Sequence, residues 1–346
     1  MGRWREAPEG QRRRGSAGGA GSYQALSSAT VDASISLDHI REAAKVVDPV
    51  FLHSPQFVCE PLSERIRVAT VLKVETINPI RTFKGRGTDY LLHRLGDDAR
   101  GLVCASAGNF GQGMAYACRK RSMRLTVFAA RSANPLKVER MRSLGATVEL
   151  RGDDFDEAKD AAKLHAAKSG DMYVEDGLLG AIAEGAGTIA VELAEQAEPI
   201  DVVFVPLGNG SLVNGMGTWL KHSAPNTRVI AVCAKTAPAM ALSWKARKAV
   251  SAPSATIADG IAVRVPIPEA VGIMPGTVDD VMLVSDDEML AAMRALFADA
   301  GLVVEPAGAA GVAAIAQRAK ELTGKRVATV LTGGNLTHDQ VRDWLY

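Results

Sequence analysis

The sequence predicts an α/β protein with two open, twisted, mostly parallel sheets flanked by helices. Three observations carry that expectation. Short β-branched runs alternate with helical patterns from residue 68 to residue 331, the pattern of parallel strands joined by crossover helices. About a dozen such elements are too many for one small sheet, so two sheet-based lobes with a cleft between them are expected. The glycine-rich corners fall directly after strands, where sheets of this kind place their ligands. The site is therefore expected in the cleft.

The first helical spacing covers 36–47 (SLDHIREAAKVV). Residues 68–75 (VATVLKVE) are a strand signal that ends near the turn pair Asn78-Pro79. A helix over 88–95 comes next, then a short apolar strand over 101–107 and a helix over 112–121. The alternation then becomes regular. Strand 125–130 leads to helix 135–144, which has Pro135 in its first turn and Gly145 after its end. Strand 147–150 and helix 155–168 follow, then strand 172–175 and a long helix over 179–196. Strand 202–206 leads to a helix running through 221, and strand 228–234 to a helix over 239–248. Ser285-Asp286-Asp287-Glu288 is a capping box opening a helix over 288–300 that Gly301 closes. A helix over 309–322 leads to the last strand, 326–331. No repeat period and no linker divides the chain.

The 346 residues are 47% hydrophobic and 23% charged, enough for one large or two modest domains. A net charge of +1 gives no field to draw in nucleic acid or an anionic membrane. Cys59, Cys104, Cys118 and Cys233 are scattered, without C-x-x-C spacing. That argues against structural disulfides and zinc and fits a reducing cytoplasm. No apolar run is long enough to span a bilayer. Residues 1–30 are rich in Arg, Gly, Ser and Ala and show no hydrophobic period, so they are expected to be a disordered basic tail. Glu6 and Glu9 argue against a targeting peptide.

One lysine stands out chemically. In Asn78-Pro79-Ile80-Arg81-Thr82-Phe83-Lys84-Gly85-Arg86-Gly87, Lys84 sits between a strand and a helix. The positive end of a helix and the nearby Arg86 both disfavour a charged amine there. A neutral amine is what a Schiff-base lysine needs. Taken alone, such a residue also reads as an ordinary surface lysine.

Three further corners share its placement. Ser106-Ala107-Gly108-Asn109-Phe110-Gly111-Gln112 combines a hydroxyl, glycine backbone and a helix N-terminus, a donor set for an anion such as a carboxylate. Gly208-Asn209-Gly210-Ser211-Leu212 follows the apolar run VVFVP and opens a helix, a backbone arrangement that binds phosphate. Thr332-Gly333-Gly334-Asn335 follows VATVL. Singly, the first two also read as plain turns and the third as a polar loop before a short C-terminal helix. Glu305, in Glu305-Pro306-Ala307-Gly308-Ala309, reads as a cap or an exposed charge.

Taken together and in this order, the segments resemble the fold-type II pyridoxal-phosphate (PLP) enzymes, the tryptophan synthase β-like family, and within it the threonine/serine dehydratase branch. The lysine stretch is similar to N-P-x-x-S-F-K-x-R-G, with Thr82 for the usual Ser. The second stretch is similar to S-S-G-N-H-x-Q, with Ala107 for the second Ser and Phe110 for His. The third is similar to G-G-G-G-L, with Asn209 and Ser211 for two glycines. Glu305 to Ala309 and Ala258-Asp259-Gly260-Ile261-Ala262-Val263 look like dehydratase segments, and the likeness runs from about residue 52 to 335.

The resemblance implies PLP as cofactor, held covalently by Lys84 with Phe83 beside its ring. It places Asn109 at the ring hydroxyl, Gly208, Asn209, Gly210, Ser211 and Leu212 at the phosphate, and Thr332 at the pyridine nitrogen. Ser106, Ala107, Gly108, Asn109 and Phe110 are implied at the substrate carboxylate. It implies a large PLP-binding domain of 31–79 with 180–346, a small domain of 80–179, and a homodimer. No appended regulatory domain is expected after Asn335.

The implied reaction removes the β-hydroxyl and the amine from a small hydroxy amino acid of the threonine/serine type, giving a 2-oxo acid and ammonia, with Lys84 as general base. Ala107 argues against racemisation, because racemases of the family use a serine there as acid/base on the opposite face. The Thr332 hydroxyl cannot keep the pyridine nitrogen protonated as a carboxylate would, which favours prompt elimination. Two alternatives stand beside this one. Val74 to Pro79 is similar to threonine synthases, which points to β-replacement, although Gly85 stands where many synthases carry Asp. The departures at Ala107, Phe110 and Asn209 also fit a non-catalytic PLP- or ligand-binding homologue. Residues 235–240 hold no carboxylate, so no metal is expected after the strand over 228–234.

Overall fold

The computed structural model describes residues 32–96 and 100–346; the basic tail expected over 1–30 lies outside them. The described chain starts with α1 (Leu37–Val46), β1 (Gln56–Val58), α2 (Glu60–Ile66) and β2 (Ala69–Val74). The lysine corner opens α3 (Lys84–Leu95), followed by β3 (Leu102–Ala105), α4 (Asn109–Lys120), β4 (Leu125–Ala129) and α5 (Pro135–Ser143). Next come β5 (Thr147–Leu150), α6 (Phe155–Ser169), β6 (Met172–Val174), α7 (Gly180–Ala194), β7 (Val202–Pro206) and α8 (Ser211–Ser223). Then follow β8 (Arg228–Ala234), α9 (Ala239–Ala246), α10 (Pro268–Thr277), β9 (Asp280–Val284) and α11 (Asp286–Ala300). The chain finishes with α12 (Pro306–Gln317), β10 (Arg326–Leu331) and α13 (His338–Leu345).

The strands form two sheets. The larger has six strands in the order β1-β2-β10-β7-β8-β9, and the smaller has four in the order β5-β4-β3-β6. The smaller sheet is parallel throughout; in the larger, β1 pairs antiparallel with β2 and the other neighbours are parallel. The four inner strands of the large sheet, β2, β10, β7 and β8, bury both faces, as central parallel strands must, whereas the edge strands β1 and β9 are partly exposed. Leu72, Val74, Phe204, Ile230 and Val232 face the α11 and α12 side, together with Met293 and Ile315. The intervening Val71, Val203, Val205, Val229 and Ala231 face α7 and α8 through Ile189, Val213 and Met216. Leu102, Cys104, Leu125 and Val127 do the same in the smaller sheet, against α3 and α4 through Leu91 and Met114.

Four elements had no sequence signal strong enough to anticipate: β1, α2, α10 and β9. β1 is a three-residue edge strand, and α10 carries Pro275 inside it. Four helices also begin earlier than their composition suggests, α11 and α12 by two and three residues and α3 and α4 through glycines. Gly85 and Gly87 stand in the first turn of α3, where glycine weakens a helix. They are there because a Cβ at Gly85 would overlap the Phe51 ring and one at Gly87 the Ile182 carbonyl oxygen. Close packing of α3 against its neighbours overrides the local preference. α4 similarly starts at Asn109 rather than 112.

α3 is anchored by a buried ionic cluster. The Arg86 guanidinium is fully buried. It donates to Glu75 Oε2 at 2.9 Å and Oε1 at 2.8 Å, to Glu192 Oε1 at 2.5 Å and to Thr188 Oγ1 at 3.0 Å. Lys73 donates to Glu192 and to the Ser54 carbonyl oxygen at 2.8 Å. One side chain thus ties β2, α3 and α7 together. Burial alone would raise the Glu192 carboxyl, but the bonds and charge of Arg86, with help from Lys73, hold it below the usual carboxylate range.

Arg86→Ala leaves buried Glu75 without its arginine and Glu192 with Lys73 as its remaining cation, and about 3–5 kcal/mol of stability should be lost in urea unfolding. The depressed Glu192 also predicts acid sensitivity. Its contribution is fully present above the unfolded carboxylate value of about 4.3 and disappears as pH falls through the lower native value. Urea midpoints should therefore be flat near neutrality and drop below about pH 4.

Candidate active site

The lysine corner is held by its own side chains and by the end of β10. Asn78 Nδ2 donates to the Glu75 and Thr82 carbonyl oxygens at 2.9 and 3.2 Å, while its Oδ1 accepts from the Ile80 N–H at 3.1 Å. Thr82 and Gly333 form an isolated antiparallel bridge. Thr82 Oγ1 and the Phe83 N–H both donate to the Thr332 carbonyl oxygen, at 3.0 and 3.1 Å. Lys84 then starts α3. Its ammonium donates to Asp176 Oδ2 at 2.6 Å and lies 4.6 Å from the centre of the Phe83 ring.

The expected effect of Arg86 on Lys84 is corrected by this geometry. Arg86 is engaged with Glu75 and Glu192. The charged partner of Lys84 is Asp176, on the turn after β6. Asp176 is itself steadied by Ser211 Oγ, which donates to its Oδ1 at 2.7 Å.

Every site residue expected from the sequence lines one cavity of about 430 Å³: Phe83, Lys84, Ser106 to Phe110, Gly208 to Leu212 and Thr332. They arrive from the carboxyl ends of β3, β7 and β10 and from the start of α3, so strand polarity brings them together. Ser106 Oγ accepts from the Gly108 and Gly111 N–H groups at 3.2 and 2.8 Å, which fixes the entry into α4. Gly210 has φ +99°, a left-handed turn that opens α8, and Gly210, Ser211 and Leu212 line the cavity there. Phe110 is buried in the apolar cluster under α4.

Glu305 is the second correction. It was expected as a cap or an exposed charge, yet it is 2% exposed and makes no cap bond to α12. Its Oε1 accepts from Asn109 Nδ2 at 2.6 Å, and its Oε2 accepts from the Asn335 N–H at 3.3 Å. Asn335 Nδ2 donates to Asn109 Oδ1 and to the Ile80 carbonyl oxygen, both at 2.9 Å. Lys137 of α5, also buried, donates to Asp259 and lies 3.9 Å from Glu305. Burial raises the Glu305 carboxyl above its ordinary value despite the Lys137 charge. Burial would lower the Lys137 amine, but Glu305 and then Asp259 carry it upward.

Sequence reasoning missed Asp176 and Lys137 altogether. Asp176 had an available signal, since Glu175-Asp176-Gly177 directly follows a strand, as the other corners do. Lys137 had none, because it sits inside an ordinary helical pattern. Among the described residues, no group of His, Cys, Asp or Glu is arranged to hold a metal ion, and no helix is long and apolar enough to cross a membrane.

Residues 50–333 match the family described as "Pyridoxal-phosphate dependent enzyme". An L-threonine ammonia-lyase of Thermotoga maritima is 34% identical over 305 residues, covering 87% of this chain and 76% of that protein. A chloroplastic biosynthetic threonine dehydratase of Arabidopsis thaliana is 31% identical over 306 residues, 87% of this chain and 52% of that protein; the chain thus spans about half the length of this plant relative. The solved structure of maize serine racemase superposes with a TM-score of 0.84 at 26% identity, covering 89% of this chain and 96% of that one.

The cavity's donor set fits the family's cofactor. A phosphorylated pyridine aldehyde needs an amine, an anion cradle and an apolar face. Lys84, the N-terminus of α8 with its left-handed Gly210, and the Phe83 ring offer these within one cavity. Glu305 is the test of how rigidly Asn109 is held there. Glu305→Ala should cost about 1–3 kcal/mol in urea unfolding, because Asn109 and the Asn335 N–H lose a buried acceptor and Lys137 loses a nearby negative charge. Glu305→Gln, which keeps an oxygen for Asn109, should cost less.

Proposed function

The chain belongs to the pyridoxal-phosphate dependent enzyme family, and we propose that within it the protein is an ammonia-lyase of the threonine/serine type. The reaction removes the β-hydroxyl and the amine of a small hydroxy amino acid and leaves a 2-oxo acid and ammonia. One observation carries the reading: the Lys84 amine shares a cavity with two helix N-termini, those of α4 and α8. Relatives named for this reaction on threonine support it.

In this reading the α8 turn, Gly208 to Leu212, holds the cofactor phosphate. The α4 turn, Ser106 to Phe110, holds the substrate carboxylate. Each uses first-turn amides that have no partner within the helix. Phe83 packs beside the cofactor ring, Thr332 faces the pyridine nitrogen, and Asn109 meets the ring hydroxyl. Glu305 and Asn335 orient the Asn109 amide for that contact. When bound, pyridoxal phosphate supplies the electron sink that makes the substrate α-proton removable. Lys84, released as the substrate takes its place, removes that proton as general base. The Ala107 methyl has no proton to give from the α4 turn, which favours elimination over the racemisation that the maize protein of the same fold is named for.

Residues 31–79 with 180–346 are proposed as the larger, cofactor-holding domain and 80–179 as the smaller. A homodimer belongs to the same proposal and rests on the resemblance; light scattering on the purified protein checks it. Four buried free cysteines support a reducing cytoplasm as its location.

Lys84→Ala should abolish both the near-ultraviolet to visible absorption of the lysine-bound cofactor and ammonia release from threonine, serine, hydroxyaspartate and phenylserine. Turnover surviving in that variant would refute the assignment. A product that stays the same when a second nucleophile is supplied separates elimination from β-replacement.

A further inference from the structure

We infer that Asp176 is a second acid–base residue of this site, one that receives the proton taken by Lys84 and delivers it to the departing β-oxygen. The inference rests on the lyase reading above. Asp176 stands just past the carboxyl end of β6, lines the cavity, and has a side chain only 10% exposed. Its Oδ2 accepts from Lys84 Nζ at 2.6 Å and its Oδ1 from Ser211 Oγ at 2.7 Å. The first contact measures reach: an amine on the Lys84 stem meets this carboxylate directly. The second fixes the carboxylate in the orientation that keeps Oδ2 on Nζ. Neighbouring charges are otherwise matched. Glu175 is bonded by Lys159, with Lys163 at 3.9 Å, and Glu305 and Asp259 face Lys137.

Loss of a β-hydroxyl as hydroxide is slow, so the oxygen needs a proton as the bond breaks. The relay provides one without any further reactant. The Cα–H bond breaks and its proton goes to Nζ. The electron pair of that bond becomes the second Cα–Cβ bond while the Cβ–O bond breaks and its pair stays on oxygen. Nζ passes a proton to Oδ2, and Oδ2 gives it to the oxygen, which departs as water. Lys84 and Asp176 end in the protonation states in which they began. The α-proton has moved from carbon to oxygen through two side chains.

The test uses the PLP-loaded wild type, D176N, which is close to isosteric, and D176E. With serine, D176N should lose about 10²–10⁴-fold in kcat with KM little changed. With β-chloroalanine, whose chloride leaves without a proton, the loss should be below about tenfold. D176E should recover part of the serine activity. A readout independent of turnover is the pH titration of the absorption of the Lys84–cofactor bond. Removing a neighbouring negative charge disfavours the protonated form, so the D176N midpoint should move to lower pH and the D176E midpoint should stay near the wild type. Equal losses on serine and chloroalanine, or an unmoved D176N midpoint, overturn the inference. A wild type that releases no ammonia from any hydroxy amino acid refutes the lyase reading instead. The titration then still decides whether Asp176 is the proton partner of Lys84.

Discussion

The structure depends on a charge buried where no water can reach it. Arg86 has no exposed surface, so its guanidinium is tolerable only with both Glu75 and Glu192 in place. Those carboxylates come from the end of β2 and from the last turn of α7. Satisfying the guanidinium therefore sets the distance and rotation of α3 relative to the large sheet and to α7. Lys84 lies two residues earlier on the same helix. Its position is a consequence of where Arg86 must be, and the glycines beside it let α3 approach Phe51 and Ile182 closely enough for the cluster to close. The arginine of the lysine stretch thus serves geometry rather than the charge of the neighbouring amine.

The same logic joins the two sheets around the cavity. Asn109, from the small-sheet side, and Glu305, from the large-sheet side, share a 2.6 Å hydrogen bond, and Asn335 bridges Asn109 to the Ile80 carbonyl oxygen. Lys137 of α5 reaches Asp259, before α10, and Arg264 reaches Asp154 and Asp156 at the start of α6. Arg264 and its partners are half-exposed and screened, so they add little stability. Lys137 and Glu305 are buried, and separating them would leave charges without solvent. The relative placement of the Ser106–Phe110 corner and the Gly208–Leu212 corner is therefore governed most strongly by the deepest contacts.

How much of this could be read in the sequence follows from which physics is local. Strand and helix alternation is local, and it points to two mostly parallel sheets with the glycine corners at the carboxyl ends of strands. Lys84, Ser106 to Phe110, Gly208 to Leu212 and Thr332 could be grouped because each follows a strand, and they do line one cavity. What could not be read depends on distant partners. Glu305 looked like a cap or a surface charge because glutamate is ordinarily exposed; its partners Asn109 and Lys137 lie more than a hundred residues away. The early starts of α3 and α4 were hidden by glycines whose reason is a neighbouring element. Short edge elements such as β1 carry too few residues to show a period. Asp176 is the exception, a residue at a strand end that the rule used for the other corners would have singled out.

Charge pairing gives the last step. Among the charged residues lining the cavity, Lys159 is matched by Glu175, Arg264 by Asp154 and Asp156, and Glu305 and Asp259 by Lys137. None of these pairs has a required role in bond breaking. Under the proposed role of Lys84 the Lys84–Asp176 pair differs, because a lysine that bonds a cofactor must leave its partner and return in every cycle. A carboxylate left alone in a half-closed cavity is unfavourable and gains by holding a proton or a donor. Ser211 satisfies only one of its oxygens. The other faces the lysine, and under the proposed role of Lys84 it is left as a proton acceptor once the amine is engaged. A fold that needed only to retain a cofactor could place an apolar residue at that corner; a carboxylate there is intelligible when protons must cross the cavity.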